Sequence, residues 1–535
     1  MRRMRARTLM MAVLVLHLLP LAVVVPDAVT TPQLNYRCLV NEEGLANISA
    51  VFRDPRSLSS TYFWMLVPKN ASEYETNVVA GEIVSQQVLS AKTSSDDEYV
   101  FYSNLTIQYS SPFELNVSWN MSYTSLTVEP NALFFSPAIG FSPSVHTEFT
   151  VVLPNSMSSI SQMSHVPISR SGSTLVFEPQ SEDRIAIAYT VSGSGQSVRM
   201  QSAHFRFDVP KRYEDIGRRL DDFYENASQV LNTLFNMSLT SVNVEFFVPS
   251  TLDEISTGGF VPIESAYRVG TINLNIFYVR TEKGYLEAIA AHELVHHYLA
   301  ASGVAPDVLW FHEGMANYVG IKVSELGGMG GASMAQDLVD EASALPSESQ
   351  TFVLSWTVDQ TDSRYTLYQH YAAAYYLVST LTDQLSSPDD TIIKGQKFFT
   401  SLFTKIRQLP AGVSNNGQLA ETMYAAANFS EAAYLALASI GLKVKPVFVS
   451  PGGQISSPES LGANLIYLLL QDPLDSAIEQ AAAEDTSTAL TLMNEANDLI
   501  ANFDVSVSVL LVLLVMATVV LGLQRLERHP ELPPI

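Results

Sequence analysis

The chain predicts a multidomain fold: an N-terminal all-β sandwich, an α+β domain, and a C-terminal transmembrane helix. Three observations predict it. Between about residues 35 and 210, short β-rich runs alternate with Ser, Gly, Pro and Asn. From Lys211 the apolar spacing changes to that of helices. Residues 505–523 carry no charge at all.

The length of 535 residues allows about two to four domains. Apolar residues make up 47%, which excludes a disordered chain. Acids outnumber bases 54 to 30, for a formal net charge of −24. No excess of Lys and Arg is left to neutralise phosphates, so nucleic acid is excluded as a partner. Cys38 is the single cysteine, which excludes a disulfide framework and any cysteine-based zinc cluster. A metal site must therefore use His and carboxylates.

The first element is 1–30, where Arg2, Arg3, Arg5 and Arg7 precede an uncharged run at 8–26. That is the pattern of a secretory signal peptide, or of an uncleaved signal anchor. The β-sandwich follows over 31–210, with strands at 62–67, 148–153, 174–177, 185–191 and 204–209. Trp64 and Trp119 read as its core.

The second domain covers 211–448. Tyr213, Ile216, Leu220, Phe223, Val230 and Leu234 predict an amphipathic helix over 211–235. Strands are predicted at 241–248 and 271–279, with a turn at Gly258-Gly259 between them, and mostly helix from 281 to 442.

A linker and helical stalk fill 449–504. The uncharged run 505–523 follows, and at about 1.5 Å per residue it spans a bilayer core of about 30 Å. Arg525 and Arg528 then place the tail, 524–535, in the cytoplasm. These flanks predict a single-pass protein of the cell membrane with its domains outside. Eight Asn-x-Ser/Thr sequons, at Asn47, Asn70, Asn104, Asn116, Asn120, Asn226, Asn236 and Asn428, agree with an external glycoprotein.

The chemistry is concentrated at His292-Glu293-Leu294-Val295-His296. On a helix, positions i and i+4 share a face, so both imidazoles reach one metal ion. Glu293 projects beside that ion and can take a proton from a water. No Gly or Pro interrupts 285–301, as a helix requires. A catalytic zinc site needs a third protein ligand. Glu313, on the next predicted helix, is the candidate, with a turn at 303–306 between the two helices.

With Trp310, Glu313, Gly314, Ala316 and Tyr318, the stretch WFHEGMANY resembles the second motif of the gluzincin metallopeptidases. The likeness is to thermolysin-like domains of the aminopeptidase N and leukotriene A4 hydrolase type, and it covers 211–442. The spacer between His296 and Glu313 is two residues shorter than usual there, an indel placed in the connecting turn. The resemblance implies a thermolysin-like catalytic domain, one Zn2+ per chain on His292, His296 and Glu313, and Glu293 as general base.

It also implies a tyrosine that donates to the oxyanion. Tyr371 is its candidate, with Tyr368 and then Tyr375 behind it, and Ala374 stands where the group has Gly. His297 and His312 neighbour the ligands and are assigned no catalytic part. The acid with which aminopeptidases of this group bind a free amine has no counterpart at Gly258-Gly259-Phe260-Val261 or Gly270-Thr271-Ile272-Asn273.

The expected function is therefore a membrane-anchored zinc metallopeptidase acting on extracellular or surface polypeptides. The alternative is a surface glycoprotein whose zinc site is not catalytic and which serves as a binding or adhesion module.

Overall fold

A computed structural model of the chain describes residues 31–444, except 93–97, 194, 266, 330 and 358–360. The described residues divide into two compact units, one of 31–193 with 248–254 and the other of 195–247 with 255–444.

Among its described residues the first unit is built of strands, with a turn of 3-10 helix at Ala71–Glu73. They are β1 (Gln33–Val40), β2 (Ala46–Asp54), β3 (Thr61–Pro68), β4 (Tyr74–Lys92), β5 (Glu98–Met121) and β6 (Ser125–Val128). There follow β7 (Asn131–Phe135), β8 (His146–Val152), β9 (Met157–Met163), β10 (Ser169–Ser171), β11 (Thr174–Phe177) and β12 (Ala186–Val191). Eight form one sheet, in which the long β5 pairs β2 and β3 on one side and β4 on the other. Four form a second sheet in the order β6-β7-β12-β9. In β2, buried Ala46, Ile48, Ala50 and Phe52 alternate with more accessible residues, which is the period-2 signature of a strand with one face inside. Both sheets feed one hydrophobic core: Leu34, Tyr36 and Phe52 come from the larger, Phe134, Ile187 and Tyr189 from the smaller.

The second unit has a five-stranded sheet of β13 (Ser197–Gln201), β14 (Phe205–Pro210), β15 (Val242–Phe247), β16 (Gly259–Phe260) and β19 (Ile272–Asn275), in the order β13-β14-β15-β19-β16. A small hairpin, β17 (Ile263–Ser265) and β18 (Arg268–Val269), lies within the same stretch. β14, β15 and β19 run parallel; β13 and β16 are antiparallel edges.

Helix α1 (Glu214–Phe235) lies on β14 and on the second helix. Glu214 and Asp215 in its first turn complement the helix dipole, and Arg407 donates to the Phe235 and Asn236 carbonyls at its other end. The remaining helices are α2 (Tyr285–Ser302), α3 (Leu309–Leu326), α4 (Ala332–Ala344), α5 (Leu367–Leu385), α6 (Gln396–Ile406), α7 (Asn416–Ala426) and α8 (Glu431–Ser439). α3 packs on both α2 and α5.

The expected membrane anchor needs correction. Among the described residues no helix is long and apolar enough to cross a membrane. The helices of sufficient length are α1, α2, α3 and α5, with 22, 18, 18 and 19 residues. Each carries ionisable residues or a polar face, among them Glu287, Glu293 and Glu313. Over the described residues the fold is a β-rich N-terminal unit and a mainly helical second unit, with no membrane-spanning helix among them. The expected single-pass placement at a cell membrane, with the catalytic domain outside, finds no helix to carry it among the described residues. Residues 505–523, like the signal segment 1–30 and the stalk, lie outside the described residues.

Two local expectations also change. Gly258-Gly259 does not only turn the chain: Gly259 and Phe260 pair with Leu274 and Asn273 as the sheet edge. The strand predicted over 271–279 ends at Asn275, whose Oδ1 accepts the Phe277 N–H and starts a helical turn over Ile276–Arg280. A local cap outweighs the apolar run that follows it.

Candidate active site

Helix α2 is buried on nearly every side, including Leu286, Ala290, Leu294, Val295 and Leu299. It begins after Gly284 and ends at Gly303, both in the left-handed region, with the Gly303 and Val304 amides returning to the Ala300 and Leu299 carbonyls. Within it, His292 and His296 lie one turn apart with side chains 14% and 13% exposed, so the cluster is largely covered.

Glu313 reaches the pair from α3. Its close approach depends on two missing side chains. A Cβ on Gly314 would lie 2.4 Å from the Ala374 carbonyl oxygen of α5, and one on Gly320 would meet the backbone of His292 in α2. α3 can therefore lie tight between its neighbours.

His292 Nε2 is 3.2 Å from His296 Nε2 and 3.2 Å from Glu313 Oε2; His296 Nε2 is 3.7 Å from the same oxygen. Donors at about 2.0–2.1 Å around a tetrahedral ion are separated by about 3.3 Å. The three atoms thus have the spacing of one ion's ligands, and the group could hold a metal. Glu313 Oε2 is buried without a well-formed hydrogen bond, an expensive state for a carboxylate unless a cation satisfies it. The ordering of His292 agrees: its Nδ1 lies 2.9 Å from Asn317 Oδ1, so the proton sits there and Nε2 faces the cluster bare.

The groups of the cluster shift in different directions. Burial pulls His292 down, but the adjacent Glu313 carboxylate, the charge of Glu293 and the Asn317 contact outweigh it and hold it above its ordinary value. Burial also opposes ionisation of Glu313, yet His296 and His292 keep its carboxyl low. His296 is pushed down to about 3, chiefly by burial. Glu293, 5% exposed, is raised to about 7 by burial and, against the opposing pull of His292, by the charge of Glu313.

Of the three tyrosines, Tyr371 is the one joined electrostatically to this cluster. The Glu313 charge is the largest influence on its hydroxyl, followed by burial and Glu293, and all three raise it far above its ordinary value. Trp356 packs edge-on against its ring at 5.5 Å. Tyr368 is 45% exposed, and besides burial the groups acting most on it are Asp337 and Tyr285. Tyr375 is buried against Tyr318. His297 turns to the Gly270 backbone, and burial takes it down to about 4. His312 is buried, with Nε2 donating to the Val304 carbonyl.

Sequence reasoning missed two contributors. A Cβ on Gly259 would fall 2.8 Å from Glu293 Cγ, so the sheet edge passes directly beside this carboxyl. Asn317 sits four residues after Glu313, a helical spacing that could have signalled its turn toward His292.

No sequence family matches the chain, and no curated protein does. Among solved structures, it is similar to an aminopeptidase N family protein from Idiomarina loihiensis, at 11% identity over 72% of each chain. The TM-score is 0.28, too low to carry an argument about fold or chemistry. The gluzincin resemblance rests on the motif residues alone.

Proposed function

We propose that this chain is a zinc-dependent peptidase of the gluzincin type, with one zinc held by His292, His296 and Glu313. The observation that carries the reading is the convergence of three ligand atoms within 4.8 Å of one another, with a buried carboxyl, Glu293, following the first ligand. A purely structural metal has no need of a base in that position.

Zinc bound there would polarise a peptide carbonyl and make a water more acidic. Glu293 takes the proton of the attacking water and returns it to the departing amine; a carboxyl raised to about 7 by burial is suited to both transfers. Tyr371 keeps its proton and donates it as a hydrogen bond to the carbonyl oxygen as negative charge gathers there. Asn317 fixes the His292 ring. The polypeptide substrate meets the edge of Gly258, Gly259 and Phe260, a stretch without a carboxylate of its own.

Metal analysis of the purified chain, followed by peptide-library cleavage, tests the reading. Glu293→Gln should keep one equivalent of zinc and lose about 10²–10⁴-fold in turnover. Cleavage at the native rate by that variant would remove Glu293 from the mechanism; a chain that takes up no zinc would remove the enzyme.

A further inference from the structure

His312 stands one residue before Glu313, is 4% exposed, and has no part in the chemistry above. Its two nitrogens have different neighbours. Nε2 is 3.0 Å from the Val304 carbonyl oxygen, and Nδ1 is 3.5 Å from Nδ1 of His296. The two rings lie within 20° of parallel.

The direction of each bond follows by elimination. A carbonyl only accepts, so the proton of neutral His312 is on Nε2 and its Nδ1 keeps a lone pair. The contact to His296 is then a hydrogen bond only if His296 donates from Nδ1. That leaves Nε2 of His296 bare, and this is the atom that faces His292 and Glu313. The anchor is itself held: Val304 bridges Val413, the Ala305 N–H donates to the Val413 carbonyl, and the Val413 N–H donates to that of Gly303.

We infer that His312 is a positioning residue, which selects the His296 tautomer that presents Nε2 to the metal; the inference rests on the zinc reading above. The backbone of the α2–α3 turn thereby sets the proton of a ligand through an intervening imidazole. Partners of this kind are typically worth about 10–100-fold in metal affinity.

Three variants of the full chain separate this role from mere filling of space. His312→Asn places an amide oxygen near the position of Nδ1 and keeps an acceptor for His296. His312→Gln places its amide near Nε2 and loses that acceptor. His312→Phe keeps a ring and loses both nitrogens. Zinc affinity, measured by competition with a chromophoric chelator, should fall about 10–100-fold for Phe and Gln and stay close to native for Asn. Native affinity in the Phe variant, or equal losses in Asn and Gln, would overturn the role. Should the variants fail to fold, nitrogen-15 NMR of histidine-labelled, metal-free wild type reads the tautomer directly. A proton on Nδ1 of His296 supports the assignment, and a proton on Nε2 overturns it. Wild type without zinc uptake would fell the zinc reading and this role together, a result distinct from uptake that ignores residue 312.

Discussion

The Cβ that Gly320 lacks would lie 2.9 Å from the backbone nitrogen of His292 and 3.1 Å from its Cα. Backbone atoms of a buried helix cannot move aside as a side-chain tip can. The α2–α3 contact that brings Glu313 to the histidines therefore tolerates no side chain here.

Gly320→Ala should accordingly force the two helices apart. Overpacking of this kind costs about 1–3 kcal/mol, partly offset by the better helix propensity of Ala, worth about 1 kcal/mol. Denaturant unfolding and zinc titration on the same samples should show a fall in zinc affinity whatever the net change in stability. An affinity equal to wild type would mean that the helix spacing does not govern the site.

Tyr371→Phe removes the hydroxyl and nothing else. Zinc content should be unchanged, while turnover falls by about 10²–10³-fold, the usual effect of losing one oxyanion donor. Tyr368→Phe should be close to wild type. Steady-state kinetics on one peptide decide between them, and the reverse ranking would transfer the role to Tyr368.

Removal of the metal should be visible in stability as well as in activity. Binding at a hundredfold excess over Kd contributes about 2.7 kcal/mol, so a chelator should lower the unfolding midpoint of wild type. His292→Ala and His296→Ala should hold no stoichiometric zinc, and chelator should leave their midpoints where they are. A chelator shift that persists in both variants would point to a different ligand set.

In the β-rich unit, Asp54 is 1% exposed and accepts hydrogen bonds from Arg56 and from the Tyr109 hydroxyl at 2.7 Å. Burial opposes its ionisation, but these bonds prevail and take it from 3.8 to about 2. A carboxyl lower in the folded than in the unfolded chain stabilises the fold above both values, and the contribution is lost as pH falls through them. Asp54→Asn should therefore cost about 1.5–3 kcal/mol near neutral pH, and the difference from wild type should shrink between about pH 4 and pH 2. A difference independent of pH would assign the effect to shape and not to charge.

The sequence by itself determined what depends on near neighbours. His292 and His296 share a face because four residues make about one helical turn, and Glu293 follows the first of them on any such helix. The strand run at 174–177 and the apolar spacing in α1 were legible for the same reason. Other features depend on partners distant in the chain. Gly258-Gly259 reads locally as a turn; that Gly259 closes a sheet edge is decided by Leu274 opposite it and by Glu293 beneath it. Tyr368, Tyr371 and Tyr375 look alike along the helix, and it is the packing of α5 on α3 that puts Tyr371 within the field of Glu313. The proton on each ligand histidine is set by Asn317 and by the His312–Val304 pair. Helical periodicity is a short-range property, whereas close approach, burial and hydrogen-bond direction exist only once separate segments have met.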